Sequence, residues 1–231
     1  MDTIGANLQA VKQRIANAAL ACGGNPAAVS LVAVSKAFDA PVVAAAYAHG
    51  QLAFGESYVQ EAVRKIAALA NLPLEWHFIG PIQSNKTRAI AENFAWVHSV
   101  DRLKVAERLS AARPAGLPPL QVCIQVSIGG ETTKGGVTAG RTLDLARAIA
   151  LLPRLRLRGL MAVPPPSDDC AQQRRYFAQL RHVKDEIVAA GIALDTLSMG
   201  MSADLEAAIT EGATLVRVGS AIFGPRAMGK G

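Results

Sequence analysis

What most constrains the fold of this chain is a change of period that repeats along its whole length. Short runs rich in β-branched and apolar residues give way to longer stretches whose apolar residues recur every three or four positions, and the cycle runs eight times. The strand-like runs fall at 31–35, 52–55, 75–79, 96–99, 120–128, 157–162, 196–199 and 214–218. Helical periods fill 41–49, 59–69, 85–93, 103–112, 139–151, 169–190 and 203–211. Punctuation agrees with this division. Pro41 suits a first helical turn, and Gly50, Gly191 and Gly212 follow periodic segments, where a helix ends most easily on a residue without Cβ. One further helix precedes the first strand, because Ile4, Leu8, Val11 and Ile15 recur at helical steps until Gly23-Gly24 stops them.

Eight βα units close naturally into a (β/α)8 TIM barrel, and that is the expected α/β fold, with the N-terminal helix added. An open doubly wound sheet would show the same local pattern, but it needs a glycine-rich phosphate turn after its first strand, and Ser35-Lys36-Ala37-Phe38-Asp39 contains no glycine. No Pro/Gly/Ser-rich or charge-dense linker divides the 231 residues, so 1–231 is expected to be a single domain. Half of the chain (51%) is hydrophobic and only 18% charged, enough apolar surface for a large core and too much for disorder. Gln9, Lys12, Gln13, Arg14 and Asn17 interrupt the first segment, and no long unbroken apolar run follows, so neither a signal peptide nor a membrane span is expected. Cys22, Cys123 and Cys170 stand far apart without any C-x-x-C, which argues against a disulfide framework or a zinc site and for a reducing, cytoplasmic setting. The net charge of +6 raises the question of nucleic acid, but the basic residues lie at helical spacing without interleaved aromatics, the pattern of a solvated helix face.

In such a barrel the chemistry gathers where strands end and βα loops begin. Lys36 closes the first apolar run, and alternation puts it on one face with Val32 and Val34. Crowded by apolar walls, its amine would be available in neutral form to attack an aldehyde; alternatively, a strand-end lysine snorkels to solvent. After the seventh strand, Ser198-Met199-Gly200-Met201-Ser202 leads toward a helix, with Ser202 expected as its N-cap. After the eighth, Gly219-Ser220-Ala221-Ile222-Phe223-Gly224 forms a second turn of small residues. Either turn alone reads as simple chain reversal, but together they occupy the place where barrels commonly bind phosphate. Alternation in Leu215-Val216-Arg217-Val218 points Arg217 inward, toward an acceptor such as a pyridine nitrogen or a carboxylate, or into a structural ion pair. His49, His77, His98 and His182 lack metal-ligand spacing and are read as structural or surface residues.

These residues sit in motifs that resemble the YggS/PROSC family of pyridoxal 5′-phosphate (PLP) homeostasis proteins from about Leu31 to Gly224. They include LVAVSK ending at Lys36, FGESYVQE, WHFIGPIQSNKTR, HSVDR, QVSIGGETTKGGV, RGLMAVPPP, LSMGMSADLEAAI and TLVRVGSAIFG. The resemblance implies a barrel similar to the N-terminal domain of alanine racemase, PLP as cofactor and Lys36 as the Schiff-base lysine. It also implies phosphate contacts from Ser202, Gly219 and Ser220, and Arg217 beside the pyridine nitrogen. Three positions depart from the family pattern. Ser57 stands in place of the asparagine of FGEN, Ser127 in place of that of QVN, and Ser220 in place of a common threonine. Serine reaches less far than asparagine and lacks its amide, so Ser57 meets the cofactor directly or through a bridging water. Lys134, on a loop beside Gly135-Gly136, is either a ligand contact or a solvated side chain.

The function implied is a PLP carrier or regulator that holds the cofactor as a Schiff base without substrate turnover, with apo forms of PLP enzymes as recipients. No nucleic acid, metal or membrane partner is expected, and the protein is expected to be a monomer. Two alternatives remain at this point. A PLP-dependent amino-acid racemase would need a second base, and the only tyrosines are Tyr47, Tyr58 and Tyr176. A basic macromolecule-binding module would rest on charge alone.

Overall fold

The computed structural model describes residues 3–130 and 135–225. Eight parallel strands pair in chain order and the last pairs with the first, so the sheet closes. They are β1 (Ser30–Val34), β2 (Ala53–Glu56), β3 (Glu75–Phe78), β4 (Trp96–Val100), β5 (Leu120–Gln125), β6 (Leu155–Met161), β7 (Thr196–Ser198) and β8 (Leu215–Val218). Closure is carried by the β1–β8 ladder, in which Val32 lies opposite Arg217 and Ala33 opposite Val218. The helices alternate with the strands: α1 (Thr3–Ala21), α2 (Ala40–Ala48), α3 (Val59–Ala68), α4 (Thr87–Asn93), α5 (Leu103–Ala112), α6 (Ala139–Ala150), α7 (Cys170–Ala189), α8 (Leu205–Thr210) and α9 (Ser220–Phe223). This is the TIM barrel that the eightfold alternation predicts, with α1 as its extra helix.

The differences lie at element ends. β5 stops at Gln125, and the rest of the apolar run expected to 128 is held by a single parallel bridge from Val126 to Val137. The helix expected at 85–93 opens as a 3-10 turn, Ser84–Lys86, before α4 begins. The stretch after β8, expected as a turn, winds into the short helix α9. Apolar periodicity reports burial, and burial continues a residue or two past the last ladder hydrogen bond in either direction.

Two cores result. The larger lies between sheet and helices and contains Phe54, Phe78, Ile90, Leu109, Leu160 and Phe177, each burial contributing about 1.5–3 kcal/mol. The smaller is the barrel interior, where Trp96, Cys123 and Met161 form an apolar cluster of their own. Beside it the interior carries a polar group as well, His77, His98, Ser198 and Arg217, all of them buried. All three cysteines are free thiols, with Cys22 and Cys170 exposed and Cys123 buried. Among the described residues no helix is long and apolar enough to cross a membrane, and no cluster of His, Cys, Asp or Glu could hold a metal ion.

Candidate functional site

At the C-terminal ends of the strands lies a cavity of about 410 Å³, within the range of small-molecule sites. Lys36, Ser57, Ser202, Arg217, Gly219 and Ser220 all line it, so the six residues singled out from sequence come together in one place. Apolar walls are supplied by Val34, Phe38, Ile79 and Val163, of which only Val34 was singled out from sequence, as a residue on the face of Lys36. Ser127 is not among the lining residues; its N–H instead donates to the carbonyl of Val137 at 2.9 Å. Lys134 lies outside the described residues.

Lys36 sits one residue beyond the sheet ladder in a tight turn closed by the Phe38 N–H on the Ser35 carbonyl at 3.1 Å. The next residue, Ala37, has φ of +67°, a left-handed conformation that costs a side-chain-bearing residue about 1–2 kcal/mol. A buried ionic cluster holds it there. The Ala37 N–H donates to Glu61 Oε1 at 2.7 Å, and Lys65 Nζ donates to Glu61 at 3.1 Å, to Glu56 Oε1 at 2.6 Å and to the Ser35 carbonyl at 2.9 Å. The Ser35 hydroxyl completes the set on Glu56 Oε1 at 2.6 Å. Burial pushes the Glu56 carboxyl up from its ordinary value, and Lys65 pulls it back down. Alternation makes the division of labour clear: Ser35 points outward into this cluster while Lys36 turns toward the cavity.

The two small-residue turns lie side by side, with the Ser202 and Ser220 hydroxyls 3.3 Å apart. Ser202 is not a helix N-cap as expected. That position belongs to Asp204, because residues 201–204 close first into a turn in which Asp204 Oδ1 accepts the Met201 N–H at 2.6 Å and α8 starts only at Leu205. Gly200 makes the turn possible: its φ is +94°, and a Cβ there would come within 2.6 Å of the Ala208 Cβ. The N-terminal helix α1 grips both turns from behind. Arg14 Nη2 donates to the Ser202 carbonyl at 3.0 Å while its guanidinium pairs with Glu206 at 2.7 and 2.9 Å, and Asn7 Nδ2 donates to the Ile222 carbonyl at 2.9 Å. The extra helix thus positions the loops of the site.

Arg217 points inward as alternation requires, and among the described residues it meets neither a carboxylate nor an ion pair within the barrel. Nη1 donates to the Ser198 hydroxyl at 2.6 Å and Nη2 to the Ala162 carbonyl at 2.9 Å. Burial pushes its guanidinium down to about 10, still charged at neutral pH, and the nearby Asp204 opposes that shift. Of the histidines, His77 and His98 are buried beneath the cavity and are not surface residues. His49 packs over Gly5, and His182 pairs with Glu186 on the outside. A second hollow, of about 560 Å³, opens at the opposite end of the barrel among Glu75, Trp96, Arg113, Gln121 and Arg158, and it has no lysine and neither small-residue turn.

The family model for the alanine racemase N-terminal domain matches residues 6–227. The pyridoxal phosphate homeostasis protein of Pseudomonas aeruginosa is 58% identical over 99% of this chain and 98% of its own. That of Escherichia coli K12 is 48% identical over 98% of both chains. Among solved structures, PipY of Synechococcus elongatus with PLP bound superimposes with a TM-score of 0.84 at 37% identity, covering 96% of this chain and all (100%) of that one. An alanine racemase from Corynebacterium glutamicum shares the fold, with a TM-score of 0.73 at 19% identity, over 62% of its length. With its barrel, its mouth and its sequence in agreement along nearly the whole length, the chain belongs to the family of pyridoxal phosphate homeostasis proteins, built on the alanine racemase N-terminal domain.

Proposed function

We propose that this chain binds PLP through Lys36 and serves intracellular PLP homeostasis as a carrier or regulator, without turning over a substrate of its own. The observation that carries this reading is the convergence of an amine, a guanidinium and two hydroxyl-bearing turns on one cavity at the barrel mouth. When bound, PLP supplies an aldehyde that condenses with a primary amine to a Schiff base. Each part of the molecule has a partner of matching chemistry in the lining. Lys36 offers the amine. Val34, Ile79 and Val163 offer apolar contact for a flat ring, while Ser202, Gly219 and Ser220 offer hydroxyls and close backbone approach for the phosphate. Arg217 would face the pyridine nitrogen and, having only donors, would leave that nitrogen unprotonated and the ring a weaker electron sink. Ser57 sits at the edge, as a direct or water-bridged contact. Support comes from the names of the relatives and from PipY, a homologue solved with PLP bound.

A racemase needs a second acid/base opposite the lysine. Among the described residues no tyrosine lines the cavity, and Tyr58, beside the Ser57 motif, is 58% exposed. The whole chain, 1–231, then acts in the cytoplasm as one monomeric PLP-binding domain that hands its cofactor to apo forms of PLP enzymes. Borohydride reduction of the PLP-loaded protein followed by peptide mapping tests the assignment. The pyridoxyl group is expected on Lys36, and a label confined to another lysine overturns it. Pyridoxal is expected to bind much more weakly than PLP, and equal affinities would remove the phosphate site.

A further inference from the structure

The polar interior of the barrel is one continuous line of hydrogen bonds running from the mouth to the opposite end. Arg217 Nη1 meets Ser198 Oγ at 2.6 Å, and Ser198 Oγ meets His98 Nδ1 at 2.7 Å. His98 Nε2 meets His77 Nδ1 at 2.9 Å, and His77 Nε2 meets Glu75 Oε1 at 2.9 Å. The rings are held by packing: His77 stacks on Trp96 at 5.5 Å and stands edge-on to His98 at 5.2 Å. Only Glu75 reaches solvent, with half of its side chain exposed (51%) in the hollow at the base.

The ends of the line dictate its direction. A guanidinium only donates and a carboxylate only accepts. With both imidazoles neutral, one arrangement satisfies all four contacts: Arg217 donates to Ser198, Ser198 to His98 Nδ1, His98 Nε2–H to His77 Nδ1, and His77 Nε2–H to Glu75. Neutrality follows from position. Burial holds both histidines below the ordinary value, His98 well below it, with His77 and Arg217 adding to the effect there. The other ionisable groups around the line do not compete. Cys123 on β5 is a neutral thiol pushed up to about 12 by burial, Arg158 on β6 is paired with Asp195, and Asp204 lies beside Arg217.

We propose that Glu75 is a positioning residue for the cofactor-facing guanidinium: from the far end of the barrel it fixes the tautomers of His77 and His98, and through them the Ser198 hydroxyl that orients Arg217. Without the carboxylate, His77 is free to carry its proton on Nδ1. It would then face the His98 Nε2–H donor to donor, His98 would move its own proton to Nδ1, and Ser198 would receive hydrogens from both sides. One change at the base thereby resets the oxygen on which Arg217 rests. The link to PLP rests on the function proposed above; the tautomers do not.

Long-range ¹H–¹⁵N correlation spectra of the apoprotein read the tautomers directly. Both histidines are expected as Nε2–H in the wild type, and an Nδ1–H form of either one overturns the proposal. Glu75→Ala is expected to give mixed tautomers at both rings, whereas Glu75→Gln, whose carbonyl still accepts, keeps the wild-type pattern. Unchanged tautomers in Glu75→Ala also overturn it. In the PLP-loaded protein the absorption maximum is expected to shift in Glu75→Ala and not in Glu75→Gln. If the tautomers change and the maximum does not, the extension to Arg217 is wrong. If no variant, wild type included, takes up PLP at Lys36, the functional reading fails while the tautomer result stands.

Discussion

The two ends of this barrel are built from the same strands and use polar side chains in opposite ways. At the base, charged groups are spent on the protein itself. Arg113 donates to the carbonyls of Ala91, Phe94 and Pro118 at 2.6, 2.7 and 2.8 Å. Arg158 takes both oxygens of Asp195 at 2.9 and 3.0 Å, holds Gln121 at 2.8 Å and lies 4.9 Å from the Trp96 ring centre. At the mouth, Lys36, Ser202 and Ser220 are turned into a cavity, on turns that include a left-handed alanine and a left-handed glycine. The base is organised for closure and the mouth for a ligand, the division that barrels of this class make generally. Substitutions at the mouth should therefore cost binding and leave the fold, and those at the base should do the reverse.

The largest effect is expected for Lys36→Ala. Borohydride-trapped PLP should disappear, while the unfolding free energy stays within about 1 kcal/mol of wild type, since the side chain is half-buried and turned into the cavity. Equilibrium denaturation beside the trapping assay checks both halves, and a variant that unfolds would place Lys36 in the structural machinery. The mirror experiment is Arg113→Met. It leaves three carbonyls at the base without their donor and should destabilise the protein by about 3 kcal/mol, with PLP still trapped at one equivalent. Loss of trapping in a folded Arg113→Met protein would dissolve the distinction between the ends.

Between the two ends lie the buried histidines, and they should make stability depend on pH. Both are held below the ordinary value of 6.5 in the folded state. As pH falls below 6.5 the unfolded chain takes up protons that the folded one refuses, so stability is present above that value and is lost on acidification. The slope is at most about 1.4 kcal/mol per pH unit for each histidine. Glu56 acts with the opposite sign: burial raises it above its ordinary 4.5, so its contribution is present below that value and is lost as pH rises. Urea titrations at several pH values between 7.5 and 5.5 should show a falling midpoint, and His98→Gln should flatten the fall. A midpoint that does not move would mean that the histidines titrate alike in the folded and unfolded chain, and one that rises would mean that they are charged in the folded barrel.

How much of this was legible in the sequence differs by level. All eight strands could be placed because each keeps large apolar or β-branched residues on its helix-facing side, and the fold followed from their alternation with helices. The six lining residues were legible because Lys36 and Arg217 sit at strand ends of fixed parity and the serines and glycine at loop positions that family motifs mark. What could not be read was whatever depends on the partner strand. Glu75, His77, His98 and Ser198 come from three strands, and no spacing in the sequence announces that they touch. The same holds for Arg14 and Asn7, two polar residues on an otherwise amphipathic helix, whose targets lie 188 and 215 positions away. Ser202 was misread as an N-cap because Asp204, two residues later, competes for the same job and wins by closing the 201–204 turn first.

The smallest expected effect sharpens the comparison within the mouth itself, at Ser57 and Ser127, the two positions where the family resemblance leads one to expect asparagine. Ser57 lines the cavity and Ser127 does not. The backbone at Ser57 packs closely on Gly80, where a Cβ would fall 2.3 Å from the Ser57 carbonyl oxygen. A longer amide reaches further into the cavity than the hydroxyl, and one neutral hydrogen bond gained without new strain contributes about 1 kcal/mol, or roughly fivefold in affinity. Ser57→Asn is therefore expected to tighten PLP binding about fivefold. Ser57→Ala should change it by less than a factor of about two, because a hydroxyl that reaches PLP through a water contributes little. The same substitution at Ser127 should do nothing. Fluorescence titrations of the three variants with PLP measure all of this together. An equal gain from Ser127→Asn would show that the cavity extends past Val126, and a loss of affinity in Ser57→Asn would show that serine was retained here because asparagine no longer fits.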